Sequence, residues 1–510
     1  MHNSTKRKVF SFLGIFFVLA LIITLVSQID KVRQIFSRAS NNTTVPLTGT
    51  YFYLEDIEGQ EVKPILSEIR SLGMDTIITS SIKDKDVPEG SRGQTCNGGY
   101  RFVRSGEENF KKILDTAQEM GIQVYVGLIH SEGLCADWYD NPTLAKEDAT
   151  ETENILSWIN QNFPNHPAIA GWSIPNEAFL GYETNQSFLD GFNNYYKKQV
   201  GAIRKQSSLP IITAPSLLNY DISAGGPSTP TTVAKRAKDF IQKTGVDILV
   251  FQDSVGAGAV PLSSYLQPNS LKDFFEAIAK KIGGDHLWAD IEVFTWSSGG
   301  FDTGGGYRPT TLTRIQSQVN DTNSASKKVI WIQQRFLGIT DAWRLQTSNE
   351  SERLFDTYRA AYQGIGKQLT PQNYTWLTKP DSKYQDTGNK LFDQLPGDPK
   401  LRSFNRWVGV NGITEILFSF PEKKSIWWVS FHVLYNKELS IGFPNTYALF
   451  CSPDDTSWSL LGLWSLPVAK INSEYVFSNP SKLNASCKSL KARFDNSWWT
   501  FISEVEITGP

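Results

Sequence analysis

Short apolar runs alternate with longer amphipathic segments from residue 47 to about residue 368. The runs are rich in β-branched and aromatic residues, which is typical of strands, and the longer segments repeat their apolar positions with helical spacing. Eight such units are present, with strands predicted at residues 49–54, 76–80, 124–129, 169–174, 211–214, 248–252, 286–294 and 329–334. Helices are predicted between them, for example at residues 61–71, 106–120, 151–162 and 271–281.

This repeat predicts an α/β fold in which parallel strands close into a (β/α)8 TIM barrel. An open doubly wound sheet more often stops at about five to seven strands, so a barrel is favoured. The chemistry of such barrels lies where the strands end and the following loops begin. The residues at the carboxyl ends of the predicted strands are therefore the candidates for function.

The pattern changes twice outside the barrel region. After a polar stretch at residues 370–390, short alternating runs at residues 414–420, 426–434 and 500–507 predict an all-β sandwich. Near the start, a basic cluster at residues 6–8 precedes an apolar run at residues 9–26. The predicted domains are residues 1–45, 46–368 and 369–510.

The N-terminal run has the layout of a signal peptide or a single membrane span. It is longer than the usual apolar region of a signal peptide and just long enough to cross a bilayer. An uncleaved signal-anchor with a tether at residues 40–47 is favoured, which predicts an exported, membrane-anchored protein with its bulk outside the cytoplasmic membrane. If the segment is cleaved, the protein is secreted.

The four cysteines agree with an oxidising compartment. Cys96 and Cys135 lie within one predicted domain, and Cys451 and Cys487 lie within another, so each pair could form a disulfide. Free buried thiols are the alternative.

Composition narrows the class of ligand. The net charge of -2 and the pI near 6.3 provide no basic field for nucleic acid. The chain contains 15 Trp, and indole rings pack well on the C–H faces of sugars, although core packing accounts for many of them. No sequence motif for a metal or a cofactor is present, so none is expected, and the sequence leaves protein partners open.

Two glutamates are the candidate catalytic groups. Glu177 comes just after the fourth predicted strand, following Pro175. In the seventh strand, the period of two directs Asp290 and Glu292 into the barrel and Ala289 toward the helices. The two glutamates would then face each other across the barrel mouth, as a retaining glycosidase requires, at about 5 to 5.5 Å.

Other residues at the strand ends and in the loops are candidates for binding the substrate. They are Asn176, Gln252, Asp253, His130, Trp138, Tyr139, Trp296, Tyr307, Gln333 and Arg335. Structural alternatives stay open, since Glu177 could satisfy amides at a helix start and Glu292 could pair with Arg335. Asp253 is a rival acid, and an inverting mechanism that uses it would need a wider separation of the carboxylates.

Three segments carry a resemblance to known enzymes. Asn176 and Glu177 after the fourth strand, together with Glu292 of the seventh, resemble the clan A glycoside hydrolases. More narrowly, residues 174–177 (Ile-Pro-Asn-Glu), 252–256 (Gln-Asp-Ser-Val-Gly) and 288–292 (Trp-Ala-Asp-Ile-Glu) are similar to a bacterial domain family of unknown function known only as candidate glycosyl hydrolases, over residues 48–368. The resemblance implies that Glu177 is the acid/base, Glu292 the nucleophile, and Asn176 a donor to the hydroxyl beside the anomeric carbon.

The C-terminal region carries a second resemblance. Residues 391–393, 407–409, 441–444 and 501–507 are similar to the discoidin-like, galactose-binding-like sandwiches often attached to glycosidases. This likeness implies a module that either holds a polysaccharide near the site or packs against the barrel.

The first hypothesis is therefore a retaining glycoside hydrolase acting on an extracellular or cell-surface polysaccharide. A non-catalytic carbohydrate-binding scaffold and a transglycosylase using the same site are the alternatives.

Overall fold

The computed structural model describes residues 47–54, 61–85, 99–103, 106–131, 141–180, 186–217, 229–296, 307–331, 337, 348–387, 389–395, 397–398, 404–466, 473–496 and 498–510. The predicted anchor, Cys96, Cys135, Trp138, Tyr139, Gln333 and Arg335 lie outside these ranges. Among the helices within them, none is both long and apolar enough to cross a membrane.

The barrel region alternates strands and helices. In chain order its elements are β1 (Gly49–Phe52), α1 (Val62–Ser71), β2 (Thr76–Lys85), β3 (Tyr100–Phe102), α2 (Gly106–Met120), β4 (Gln123–His130), α3 (Pro142–Asn162), β5 (Ile169–Ile174), α4 (Gln186–Arg204), β6 (Ile211–Thr213), α5 (Pro230–Thr244), β7 (Ile248–Gln252), α6 (Leu271–Ile282), β8 (Leu287–Ile291), β9 (Phe294–Trp296), β10 (Tyr307–Pro309), α7 (Leu312–Asp321), β11 (Lys327–Ile330) and α8 (Ser348–Tyr362). Single 3-10 turns lie at Ser263–Tyr265 and Gly284–His286.

Eight parallel strands close into a barrel in the order β1, β2, β4, β5, β6, β7, β8, β11 and back to β1. The eight-stranded parallel barrel predicted from the sequence is confirmed. Strand seven is shorter than predicted, because β8 ends at Ile291 and the chain starts a separate strand, β9, at Phe294. β9 pairs with β10 as an antiparallel hairpin beside the barrel.

Side chains of the strands alternate between two layers. Ile78, Tyr125, Trp288 and others fill the barrel interior, where the rings of Tyr125 and Trp288 lie 5.1 Å apart, edge to face. Ala289 and Ile291 belong instead to the larger core between strands and helices. This confirms the predicted parity of strand seven, which places Asp290 and Glu292 on the inner side.

Helix α3 begins at Pro142, nine residues before its predicted start. The side chain of Asn141 accepts hydrogen bonds from the amides of Thr143 and Leu144, and Pro142 occupies the first helical position. The first turns of α3 are polar, so their hydrophobic periodicity is weak and the helix start was predicted too late. The Asn141-Pro142 pair would have predicted the true start.

The C-terminal region is an antiparallel β-sandwich. Its strands are β12 (Lys367–Gln368), β13 (Asn373–Trp376), β14 (Val408–Asn411), β15 (Thr414–Ile426), β16 (Trp428–Tyr435), β17 (Thr446–Ser452), β18 (Ser459–Ser465), β19 (Ser473–Ser478), β20 (Ala485–Asp495) and β21 (Trp499–Gly509), and a 3-10 turn lies at Lys390–Phe392. One sheet has the order β12-β21-β16-β19 with β14 also on β21, and the other has the order β13-β15-β20-β17-β18. The predicted disulfide between Cys451 and Cys487 is confirmed.

Candidate active site

Glu177 stands three residues beyond the end of β5. One of its carboxylate oxygens accepts a hydrogen bond of 2.7 Å from the side-chain amide of Gln252, the last residue of β7. Burial raises the pKa of Glu177, and the hydrogen bond from Gln252 opposes that rise. Gln252 therefore lies where the sequence predicted it and contacts a candidate catalytic group directly.

Asn176 is fully buried, and its side-chain amide is held at both ends. Its oxygen accepts from the backbone amide of Ser131 at 3.3 Å, and its nitrogen donates to the hydroxyl of Tyr195 at 3.2 Å. The hydroxyls of Ser131 and Tyr195 both donate to Asp148, each at 2.8 Å. This network from α3 and α4 fixes the chain immediately before Glu177.

Glu292 follows β8 and is only 5% exposed. One carboxylate oxygen accepts a hydrogen bond of 2.7 Å from the backbone amide of Ala257. Burial, followed by the charge of Asp253, raises the pKa of Glu292 to about 8, and the charge of Glu177 adds to the rise. The charge of one candidate catalytic group therefore acts on the other at the same end of the barrel.

Asp253 follows β7 and is fully buried. Its two carboxylate oxygens accept hydrogen bonds from Gln318 at 2.6 Å and from the backbone amide of Val255 at 3.0 Å. Burial raises the pKa of Asp253 to about 6 against the opposing effects of these two donors and of Arg314. Because both oxygens are occupied by the protein, Asp253 organises the loop after β7 more readily than it receives a ligand.

Gly256 lies where the same loop passes Glu292. A Cβ atom at this position would lie 2.5 Å from the Phe294 carbonyl oxygen and 2.8 Å from the Cβ of Glu292. Only glycine permits so close an approach. The predicted Gln-Asp-Ser-Val-Gly segment thus brings the Ala257 amide to the carboxylate of Glu292.

Asp290 and Tyr51 are site residues that sequence reasoning left out of the candidates. Asp290 is 4% exposed, and its Oδ1 has no hydrogen-bond partner among the described residues. Burial and the charges of Glu292, Asp253 and Glu177 raise its pKa well above the ordinary value. Burial and the charges of Asp290 and Glu177 likewise raise the pKa of Tyr51. Both could have been predicted, because the alternation of side chains along β1 and β8 directs Tyr51 and Asp290 into the barrel.

Aromatic rings pack together beside this acidic group. The Tyr307 ring lies 4.7 Å from that of Phe294 and 5.5 Å from that of Trp331, and the Trp331 indole donates to the hydroxyl of Tyr53 at 3.1 Å. The backbone of Trp296 pairs with Tyr307 across the β9–β10 hairpin. Trp331 and Tyr53 extend the set of aromatic residues that the sequence suggested for sugar stacking.

The structure brings together Glu177, Gln252, Asp253 and Glu292, which come from three separate segments of the sequence. His130, also predicted, ends β4 and is half-buried. Within the part of the chain that the structure describes, no group of three or more His, Cys, Asp or Glu residues could hold a metal ion. Glu177, Asp253, Asp290 and Glu292 together form an acidic mouth, and carboxyl groups of this kind can take part in acid–base and nucleophilic chemistry.

The model of a protein family with the description "Domain of unknown function (DUF4434)" matches residues 47–336. The chain belongs to this family. The DUF4434 match covers all eight barrel strands, including the segments that carry Glu177 and Glu292, and it ends before α8 and the sandwich. Its description names no activity, so the narrower likeness to candidate glycosyl hydrolases stays a prediction.

Several solved structures are similar to the chain. A candidate alpha-L-fucosidase from Bacteroides thetaiotaomicron is 16% identical, with a TM-score of 0.44 over 62% of this chain and 96% of that one. A protein described as a glycoside hydrolase is 11% identical, with a TM-score of 0.38 over 89% and 93%. The protein CpGH89CBM32-6 produced by Clostridium perfringens is 16% identical, with a TM-score of 0.20 over 27% and 93%. TM-scores this low carry no argument about activity. A search of curated proteins gave no match.

Proposed function

We propose that the protein is a retaining glycoside hydrolase that cleaves an extracellular or cell-surface polysaccharide. The observation that carries the proposal is the pair of glutamates: Glu177 after β5 and Glu292 after β8 both follow the carboxyl ends of barrel strands, and the charge of Glu177 contributes to the raised pKa of Glu292. Paired carboxyl groups with different protonation states are what glycosidic bond cleavage requires.

In the proposed reaction, the carboxylate of Glu292 attacks the anomeric carbon and forms a covalent ester with the sugar. Glu177 donates its proton to the glycosidic oxygen, so the leaving sugar departs as an alcohol. Water then attacks the same carbon, gives its proton back to Glu177 and releases Glu292 as a carboxylate. The sugar keeps its anomeric configuration because the carbon is inverted twice.

The neighbouring donors fit these two roles. The Ala257 amide fixes one oxygen of Glu292 and is the only hydrogen bond to this carboxylate among the described residues, so the second oxygen is available for the carbon. Gln252 orients Glu177. The pKa of Glu292, raised to about 8 by burial and by Asp253, would fall as positive charge develops on the sugar.

The hydrogen bonds of Asp253 favour retention over inversion. An inverting enzyme needs a carboxylate that is free to activate water, whereas both oxygens of Asp253 accept from Gln318 and Val255. We therefore assign Asp253 to the support of the loop. NMR of the first-formed anomer distinguishes retention from inversion.

The remaining assignments complete the proposal. Tyr307, Trp331 and Trp296 would pack on the sugar rings, and His130, Trp138, Gln333 and Arg335 would contact the substrate. Asn176, whose amide nitrogen uses one N–H for Tyr195, would donate its second N–H to the hydroxyl beside the anomeric carbon. The segment 1–45 would anchor the exported chain, residues 46–368 would form the catalytic domain, and residues 369–510 would form a sandwich that holds or supports it.

The test is the loss of activity in Glu177→Gln and Glu292→Gln. Polysaccharides are first screened for new reducing ends, and each variant is then assayed on the glycan that the parent cleaves. General acid–base catalysis alone contributes about 100-fold or more, so each variant should lose at least that factor in kcat/KM. Asp321→Asn is the control, because Asp321 is a buried acid bonded to Ser263 and lies outside the mouth.

Three results would contradict the proposal. The assignment fails if both glutamine variants cleave the glycan at the parental rate. Binding of glycans without any release of reducing ends would favour a non-catalytic scaffold, and transfer to sugar acceptors in place of water would favour a transglycosylase.

A further inference from the structure

Side chains of helix α7 donate hydrogen bonds to the backbone and to one carboxylate of the acidic mouth. Arg314 donates to the carbonyl oxygens of Glu292, at 2.9 Å, and of Phe294. One turn later, Gln318 donates to Asp253 at 2.6 Å and to the same Glu292 carbonyl at 3.1 Å. The position of Glu292 therefore depends on the position of α7.

The sandwich in turn holds the start of α7. The carboxylate of Glu506, in β21, accepts a hydrogen bond of 2.8 Å from the backbone amide of Thr313, the second residue of the helix. Amides of the first helical turn have no partner within the helix, and a carboxylate also stabilises the positive end of the helix dipole. This contact joins residues 193 positions apart in the sequence.

Buried cations on both sides fix the carboxylate of Glu506. The Nη1 atom of Arg353, in α8, lies 3.8 Å from Oε2 of Glu506, and its Nη2 atom donates to the carbonyl of Thr310, just before α7, at 3.0 Å. The Nε2 atom of His432, in β16, lies 3.6 Å from Oε1 of Glu506, and its Nδ1 atom is hydrogen-bonded to Glu474 at 2.8 Å. All four side chains are largely buried, so Glu506 has little freedom to move.

We infer that Glu506 is a positioning residue for Glu292: the sandwich fixes the N-terminal turn of α7, and α7 fixes the backbone that carries the carboxylate of Glu292. This inference rests on the proposed function for its kinetic consequence, but its structural part does not. It makes the sandwich a component of the active barrel in addition to any role in holding polysaccharide.

The sharpest test compares Glu506→Gln with Glu506→Leu. Both variants lose the charge that faces His432 and Arg353, so both should lose the stability that this charge contributes. Only glutamine keeps an oxygen that can accept from the Thr313 amide. The difference between the two variants therefore isolates the contact with α7, and Glu504→Leu, a buried acid on the same strand, is the matched control.

Amide hydrogen exchange at residues 310–316 is the readout that needs no substrate. We expect exchange there to be about 10-fold faster in Glu506→Leu than in Glu506→Gln, with the parental rate in Glu504→Leu. In kinetic assays kcat should be about 10-fold lower in Glu506→Leu than in Glu506→Gln with KM little changed, because displaced catalytic groups lower the rate of the chemical step.

Equal exchange and equal kcat in the two Glu506 variants would overturn the inference. If both fail to fold, Thr313→Pro removes the donor and keeps every charge, since proline is tolerated in a first helical turn; unchanged exchange and kcat in that variant would then overturn it. Failure of the proposed function is distinguishable, because it would abolish the kinetic difference and leave the exchange difference in place.

Discussion

At the residue scale, Gln252 of β7 bonds to the carboxylate of Glu177, and Arg314 and Gln318 of α7 bond to the backbone carbonyl of Glu292. Glu177 and Glu292 could be predicted because each follows a recognisable strand in a barrel whose chemistry lies at strand ends. Arg314 and Gln318 could not, because they reach the mouth from a helix, where strand parity gives no guidance. Arg335, the cation suggested as a partner of Glu292, lies outside the described residues.

The protonation of the glutamates predicts a pH profile. The productive pair holds one proton, so kcat/KM falls when the pair gains a second proton or loses its last one. Burial raises the pKa of Glu177, and burial with the charge of Asp253 raises that of Glu292 to about 8. We expect kcat/KM to persist at neutral pH and to fall above about pH 8.

Steady-state kinetics from pH 5 to 10 check this profile. A substrate with an activated aryl leaving group needs less protonation by Glu177. For such a substrate kcat/KM should fall much less at alkaline pH. A profile that has already collapsed by about pH 6 would be incompatible with these raised pKa values.

At the element scale, the barrel strands were predictable because their β-branched runs are short and sharply bounded. The end of β8 was not, since Val293 and Phe294 continue the apolar run although the chain has already left the barrel sheet. The backbone amide of Thr310 bonds to the Val293 carbonyl instead, which starts the β9–β10 hairpin. Such a change of partner depends on a distant segment.

The loop after β7 supports a prediction of its own. In Gly256→Ala the new methyl group would meet the Phe294 carbonyl and the side chain of Glu292, so the loop and the carboxylate must shift apart. A displacement of about 1 Å can cost about 100-fold, so we expect kcat to fall by 10-fold to about 100-fold.

Gly201→Ala is the matched control for this variant. Gly201 lies in α4 with no atom within 4 Å of an added Cβ, and alanine favours helices. Its activity should equal that of the parent, and its thermal midpoint should be equal or higher. Parental kcat in Gly256→Ala would show that the close approach does not matter for activity.

At the scale of the whole molecule, the sequence predicted a barrel and a sandwich but not how the two pack together. Their joint surface is built from single polar groups in distant segments, such as the indole of Trp428, which donates to Asp356 at 2.9 Å. Strand β12 follows α8 directly and pairs with β21, the last strand of the chain. Contacts of this kind produce no periodic pattern in the sequence from which the packing of the two domains could be predicted.

The buried charges at this surface predict a pH-dependent stability. Burial opposes a charge on His432, but the hydrogen bond to Glu474 and the charges of Glu474 and Glu506 prevail and raise its pKa from 6.5 to about 9, with Arg353 also close to Glu506. Such a rise stabilises the fold fully below pH 6.5, and the effect is lost as the pH rises to about 9. Its size is about 3 kcal/mol.

Urea unfolding of the parent and of His432→Gln at pH 6.5 and pH 9 measures this effect. The parent should lose more stability than the variant across this window, and His286→Gln, at an exposed site of the barrel, should behave as the parent does. Equal losses in the parent and in His432→Gln would show that the histidine is not held protonated by its acidic neighbours.

The most direct test of the central claim is to trap the covalent intermediate on the enzyme. A 2-deoxy-2-fluoro glycoside of the cleaved sugar, with an activated leaving group, slows the second step and lets the ester accumulate. Intact-mass and peptide mass spectrometry should then find one sugar on the peptide that carries Glu292, and none in Glu292→Gln. A label on Asp253, or no label while the parent cleaves its glycan, would contradict the account.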